Sequence, residues 1–231
     1  MKALLVVLLL LLGVAFVADR VVERWAEGYV ADQLVEQAGL AAAPEVDARG
    51  FPFLTQAVAG RYEDVRISLS AEELRQPEGT RADVVLRGVQ VPLSSVVSGS
   101  VQEVPVDRID GTATLSYALL SEQLGRDTEL TRDGDGLRIT RTVEVLGQEV
   151  RLSAVGQVRL DGGALVADVR EASGAGVEVP GFVLDRAVDL LDLRHPVPAL
   201  PFGLELTGVR PAEDGVVIEV EATDTVLRAP E

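Results

Sequence analysis

The sequence predicts an α+β protein, dominated by long antiparallel β-strands and led by one long helix. Three observations predict it. An uninterrupted apolar run, Ala3 to Ala18, passes into a segment of helical periodicity that reaches about Leu40. From Glu45 onward the apolar period changes to two. Asp-Gly and Gly-Gly pairs then punctuate the period-two runs where hairpins need turns.

The apolar run follows Lys2, the chain's sole lysine, and stops at Asp19-Arg20. It is long for the core of a signal peptide and slightly short for a spanning helix of about 20 residues. Gly13-Val14-Ala15 offers a small-x-small cleavage pattern. Two readings stand: residues 1–18 are a cleaved signal peptide, or they are a retained membrane anchor. Both export the remainder to the periplasm or cell envelope, secreted or anchored by the N-terminal segment. Residues 19–231 are long enough to bury a core, and no repeat, low-complexity tract or linker divides them. A single domain is the economical expectation.

From Asp19 to about Leu40 the spacing predicts an amphipathic helix. Val21, Val22, Trp25, Tyr29 and Leu34 recur at helical intervals, and Asp19, Arg20, Glu23, Arg24, Glu27 and Asp32 take much of the other side. Gly39 is the expected stop. The apolar stripe is expected either to cover a sheet or to serve a membrane-proximal stalk or lipid cavity.

The strands come next. Val65, Ile67 and Leu69 alternate with Arg66, Ser68 and Ser70; Leu137, Ile139, Val143 and Val145 alternate with Arg138, Thr140, Thr142 and Glu144. Val150, Leu152, Ala154, Val158 and Leu160 form a third run, and Val216, Ile218, Val220 and Ala222 a fourth. Each reads as a strand with one apolar and one polar face. Asp133-Gly134-Asp135-Gly136, Asp161-Gly162-Gly163 and Asp214-Gly215 mark the turns. The implied sheet is antiparallel, long, half-buried and curved, with an apolar concave face. Two short helices are expected as well. One is a capped turn at Ser70 to Leu74; the other is an amphipathic helix at residues 181–193, ended by His195-Pro196.

Composition narrows the chemistry. The net charge is −16, which opposes nucleic acid, because phosphate backbones require a Lys/Arg footprint. It also opposes broad adsorption on anionic headgroups, so any membrane contact should be apolar or confined to a few arginines. The chain has no cysteine, which excludes disulfides, a thiolate nucleophile, Cys-ligated zinc and a lipoprotein anchor. His195 is the sole histidine, in a Pro-rich connection that suggests an exposed loop, and no Gly-x-Ser-x-Gly elbow accompanies it. Asp133 to Gly136 lacks the later carboxylates of a calcium loop and reads as a hairpin turn. Arg138 and Arg141 could meet a phosphate, but surface arginines are usually solvated. No cofactor, metal site or catalytic constellation is expected. The aliphatic interior suits acyl chains, whose burial is worth about 0.8 kcal/mol per CH₂, but any core is aliphatic too.

Several segments carry a resemblance. They are Gly50-Phe51-Pro52-Phe53-Leu54-Thr55-Gln56 with Gly60-Arg61-Tyr62, Gly88 to Ser94, Gly111 to Tyr117, and Leu200-Pro201-Phe202-Gly203-Leu204. With the order of elements, they make the chain similar to the actinobacterial LmeA-like phospholipid-binding family over nearly its whole length. Gly-Phe-Pro-Phe-Leu at this place is the most specific of them. The resemblance implies a sheet wrapped around the N-terminal helix, like half of a BPI-type tubular (TULIP-like) lipid-binding protein. It implies phospholipid and the membrane as partners, in support of lipoglycan or glycolipid assembly, beside an envelope glycosyltransferase or other envelope protein. It brings no catalytic residues.

The motif also reads from its residues. Gly50 and Gly60 permit sharp turns, and Pro52 suggests a sheet edge or rim. Phe51, Pro52, Phe53, Leu54 and Phe202 are then candidates for the mouth of a lipid cavity, or else a hydrophobic plug. Two other function classes are possible on the sequence. A membrane-anchored scaffold for an envelope enzyme or transporter would have a fully packed interior. A glycolipid hydrolase would need convergent polar groups, which the sequence does not offer.

Overall fold

A computed structural model of the chain describes residues 2–92, 95, 101–125, 128–145, 148–161, 164–174, 194–196 and 200–228. Helix α1 runs Lys2–Ala38 without a break, so the apolar run and the amphipathic segment form one helix. At 1.5 Å per residue it is about 55 Å long. It stops at Gly39, whose φ is +65°. Then come β1 (Glu45–Arg49), α2 (Phe53–Ala59), β2 (Arg61–Leu69), α3 (Ala71–Leu74), β3 (Arg81–Gln90) and β4 (Glu103–Ser116). Helix α4 (Tyr117–Leu124) leads into β5 (Thr128–Asp133), β6 (Gly136–Val145), β7 (Gln148–Asp161), β8 (Ala164–Gly174) and β9 (Arg194–Pro196). A 3-10 turn (Pro201–Gly203), β10 (Glu205–Pro211) and β11 (Gly215–Arg228) complete the chain.

The strands make two open sheets, six-stranded in the order β1-β2-β3-β4-β11-β10 and five-stranded in the order β5-β6-β7-β8-β9. The pairs β1–β2 and β10–β11 are antiparallel, as is every neighbouring pair of the second sheet. The fold is therefore α+β with antiparallel sheets and a long N-terminal helix, which packs on β1 and α2. The strands are divided between two sheets because a period-two pattern defines a strand and its faces but not its partner.

The chain forms two compact units. The first comprises Met1–Leu69, Asp83–Asp110 and Ala222–Glu231; the second comprises Ser70–Ala82 and Gly111–Glu221. In the first, Phe53, Ala48 and Ala57 are buried together, with Val22, Ala26 and Tyr62 packed against them. In the second, Leu130, Leu137 and Val216 form the core, with Tyr117, Leu120, Ile139, Val158 and Val209 around it. The start of β11 is covered on both faces, since Val216 and Val217 are both buried. Tyr117 donates its hydroxyl to the Ala212 carbonyl at 2.7 Å. The buried Thr80 hydroxyl donates to Ser116 Oγ at 3.0 Å, and Ser116 Oγ accepts from the Leu119 N–H to cap α4.

The β5–β6 turn and the α3 cap are as expected, whereas Gly162 and Gly163 of the expected Asp161-Gly162-Gly163 turn lie outside the described residues. Asp133 pairs with Gly136 across the β5–β6 hairpin, and Gly134 supplies the positive φ (+59°) that the first central position of a two-residue loop demands. Ser70 and Glu73 form a reciprocal capping box on α3. One expectation differs in outcome. His195 lies in β9, opposite Leu165, rather than in a loop; strand pairing with β8 overrides the flanking proline. The helix expected at 181–193 lies outside the described residues.

Ion pairs stitch the face of the first unit. Arg108 Nε donates to Asp110 Oδ1 at 2.9 Å, and Arg87 lies 2.5 Å from Asp110 Oδ2. The Arg108 hydrogen bond, opposed by burial and reinforced by both guanidinium charges, holds the Asp110 carboxyl below the usual range. A carboxyl lowered on folding contributes stability above its unfolded value of about 3.9 and loses it as pH falls through the folded value. Asp110→Asn is expected to lower the thermal midpoint by about 1–3 °C at pH 7, a modest loss because the pair is partly solvated. Melts at successively lower pH should show that gap closing below about pH 4; a gap independent of pH would contradict the assignment.

Candidate functional site

Two stripes on α1 set up the site. Asp19, Glu23 and Glu27 recur every fourth residue, and so do Val21, Trp25 and Tyr29. An offset of two residues is about 200° around a helix, so the stripes lie on opposite sides. The sequence left two placements for the apolar stripe, over a sheet or along a membrane-proximal stalk or lipid cavity. The structure excludes the first for Val21, Trp25 and Tyr29, while Val22 packs inward. Asp19 and Glu23 are buried, whereas Val21, Trp25 and Tyr29 are 59%, 65% and 40% exposed.

The physical reason is backbone satisfaction. Glu27 Oε1 accepts from the Ala48 N–H of β1 at 2.9 Å. Asp19 Oδ1 accepts from the Leu54 N–H at 2.8 Å. Helix α2 follows Pro52, which brings no side-chain acceptor, so Asp19 caps α2 from another helix. Arg20 bridges the acidic stripe, 2.8 Å from Asp19 and 2.6 Å from Glu23. Buried carboxylates with such partners are stable, and the small side chains of Val22 and Ala26 fill the space between them and Phe53. At the far end of α2, Gly60 turns with φ +67° and its N–H bonds the Ala57 carbonyl.

The motif residues separate. Phe53 is 2% exposed, and its ring centroid lies 5.7 Å from that of Tyr62. Phe51 is 66% exposed, with its ring centroid 5.9 Å from that of Phe16 on α1. The Arg20 guanidinium carbon sits 5.5 Å from the Phe51 centroid and 6.0 Å from the Phe16 centroid, within cation–π range. Leu54 is half-buried, and Val58 projects outward from α2. Pro52 begins a helix instead of bordering a sheet. Phe202 belongs to the second unit; it is 43% exposed, with φ +58° in the turn Pro201–Gly203.

A separate concavity of about 310 Å³ lies on β1, β2 and β3. Glu45, Asp47, Asp83, Arg49 and Arg66 line it, with Arg49 held by Asp47 and Ser68 by Asp83. Ile67, Val84 and Val85 line it as well, so charged and apolar groups share the lining. Arg138 is taken by Asp133. Among the described residues no group of three or more His, Asp or Glu is placed to hold a metal ion.

Phe16, Phe51 and Arg20 thus form an exposed aromatic–cation cluster on and beside α1. A model of the LmeA-like phospholipid-binding family matches residues 17–221. The chain belongs to that family. The match begins at Val17, so the LmeA-like region of the chain takes in both stripes of α1, the Phe51 to Leu54 segment and Phe202. Searches of the curated proteins and of the solved structures found no match.

Phe51, Phe53 and Phe202 stand out in the sequence as candidates. The inward carboxylates Asp19, Glu23 and Glu27 were missed, although their four-residue period was visible.

Proposed function

We propose that this LmeA-like chain is a non-catalytic phospholipid-binding protein of the cell envelope, exported and held at the membrane by its N-terminal helix. The observation that carries this is the family match over residues 17–221. The helix supports the location: α1 is long and apolar enough to cross a membrane. Residues 19–231 form the lipid-binding part, and Phe51, Leu54 and Phe202 contact the lipid. Pro52 orients Phe51, and buried Phe53 anchors the segment to the core. The bound lipid serves lipoglycan or glycolipid assembly, with envelope glycosyltransferases as the class of protein partner.

Uptake of a fluorescent phospholipid by the purified chain tests the contact residues. Phe51→Ala and Phe202→Ala should each weaken binding about 5- to 30-fold, as loss of a partly exposed aromatic contact costs roughly 1–2 kcal/mol. Their thermal midpoints should stay near the parent's. Unchanged binding by both folded variants would remove these residues from the site.

A further inference from the structure

The outward stripe of α1 has an exposure that water alone does not favour. Val21, Trp25 and Tyr29 stand in one row, and the Trp25 and Tyr29 rings stack with centroids 5.9 Å apart. Arg24, beside Trp25, is exposed and has no ion pair among the described residues. The row is continuous, on the same unbroken helix, with the apolar run Ala3 to Ala18.

Helix geometry fixes its depth. The run spans about 24 Å, and a bilayer's hydrocarbon core is about 30 Å, with roughly 5–8 Å of headgroup layer on each side. Centring the run leaves about 3 Å of core beyond Ala18. Val21 then falls at the edge of the core, Trp25 about 7 Å outside it at the outer limit of the headgroups, and Tyr29 about 13 Å outside it, where its ring backs that of Trp25 from the water side. Trp and Tyr favour the headgroup level, where an apolar ring meets polar groups, and a free arginine there meets lipid phosphate. Phe16 lies about 6 Å inside the core edge on the same count, so the Phe51 ring against it enters the outer part of the hydrocarbon.

We propose that Val21, Arg24 and Trp25 rest in the phospholipid headgroup layer of the membrane that α1 crosses, with Tyr29 stacked on Trp25 from the water side, and hold Phe51 at the edge of the bilayer core. A second copy of the chain fits the row less well. Copies anchored in one membrane run parallel, which sets Arg24 against Arg24. The net charge of −16 keeps the rest of the surface off anionic lipid, so contact is confined to this row. The proposal rests on the anchored reading of residues 1–18.

Trp25 is the chain's one tryptophan, so its emission reports this row alone. The full chain is reconstituted in vesicles of phosphatidylcholine and phosphatidylglycerol, with a spin label placed either near the headgroup or deep in the acyl chain. The expected result is blue-shifted emission, with the headgroup-proximal label removing roughly half of it and the deep label removing less. A full-length mass with emission open to an aqueous quencher and indifferent to both labels would overturn the placement. Blue-shifted emission that depends on protein density and not on the labels would assign the row to a second copy, which also overturns it. A mass lacking residues 1–18 overturns it through the anchor, while leaving phospholipid binding by the exported part intact.

Discussion

Phe53→Ala is expected to destabilise the first unit by about 3–4 kcal/mol, the range for removing a buried aromatic ring. Phe53 is 2% exposed and contacts both strand and helix neighbours, Ala48, Ala57, Val22, Ala26 and Tyr62. None of these can fill the void, because most are already small and Tyr62 is held by its own packing. The loss should also loosen α1, since Val22 and Ala26 pack against the cluster of which that ring is the largest member. Hydrogen exchange read by mass spectrometry separates the consequences. Amides of β1, α2 and β2 should exchange faster, while those of β5 to β7 in the second unit keep their protection. Phe51→Ala, two residues away, should leave all of these rates near the parent's, because Phe51 is largely exposed. Equal protection in the Phe53 variant would show that this ring is not the core of the unit.

Gly215→Ala should be nearly as costly, at about 2–3 kcal/mol, by overpacking instead of by a cavity. A Cβ at this position would lie 2.1 Å from the Leu115 carbonyl oxygen and 2.9 Å from Ser116 Cα. Both are backbone atoms of β4, so no side chain can swing aside. Relief requires β11 to move from β4. That movement disturbs Val216 in the core, and also the Ala212 to Gly215 turn that receives the Tyr117 hydroxyl. Thermal melts should fall by roughly 5–10 °C. Gly28, on the open side of α1, provides the contrast: nothing lies within 4 Å of its added Cβ. Gly28→Ala should be neutral or slightly stabilising through helix propensity.

The contrast between Phe51 and Phe53 shows where sequence reading stops. Read as an extended segment, residues two apart share a face, so both rings seemed to belong to one opening. Helix α2 begins at Phe53, and this local change of backbone sends the two rings to different places. The stripes of α1 teach the same lesson. Periodicity revealed two rows but not which one turns inward. The decision lies with unpaired N–H groups at Ala48 and Leu54, distant in sequence and brought near only by the fold. Local features were fully legible: the Gly39 stop, the Ser70–Glu73 capping box and the Asp133 to Gly136 hairpin each depend on a few neighbouring residues. Val217 was assigned to a polar face by alternation, yet it is buried, because what covers each side of a strand is a matter of tertiary packing.

Native mass spectrometry of the full chain, purified from its bacterial membrane and paired with lipid extraction, tests phospholipid binding most directly. The expected result is a stoichiometric phospholipid on the folded chain, lost on mild delipidation and regained when the same lipid is returned. A folded chain that carries no lipid, and whose mass no added phospholipid shifts, would contradict the account.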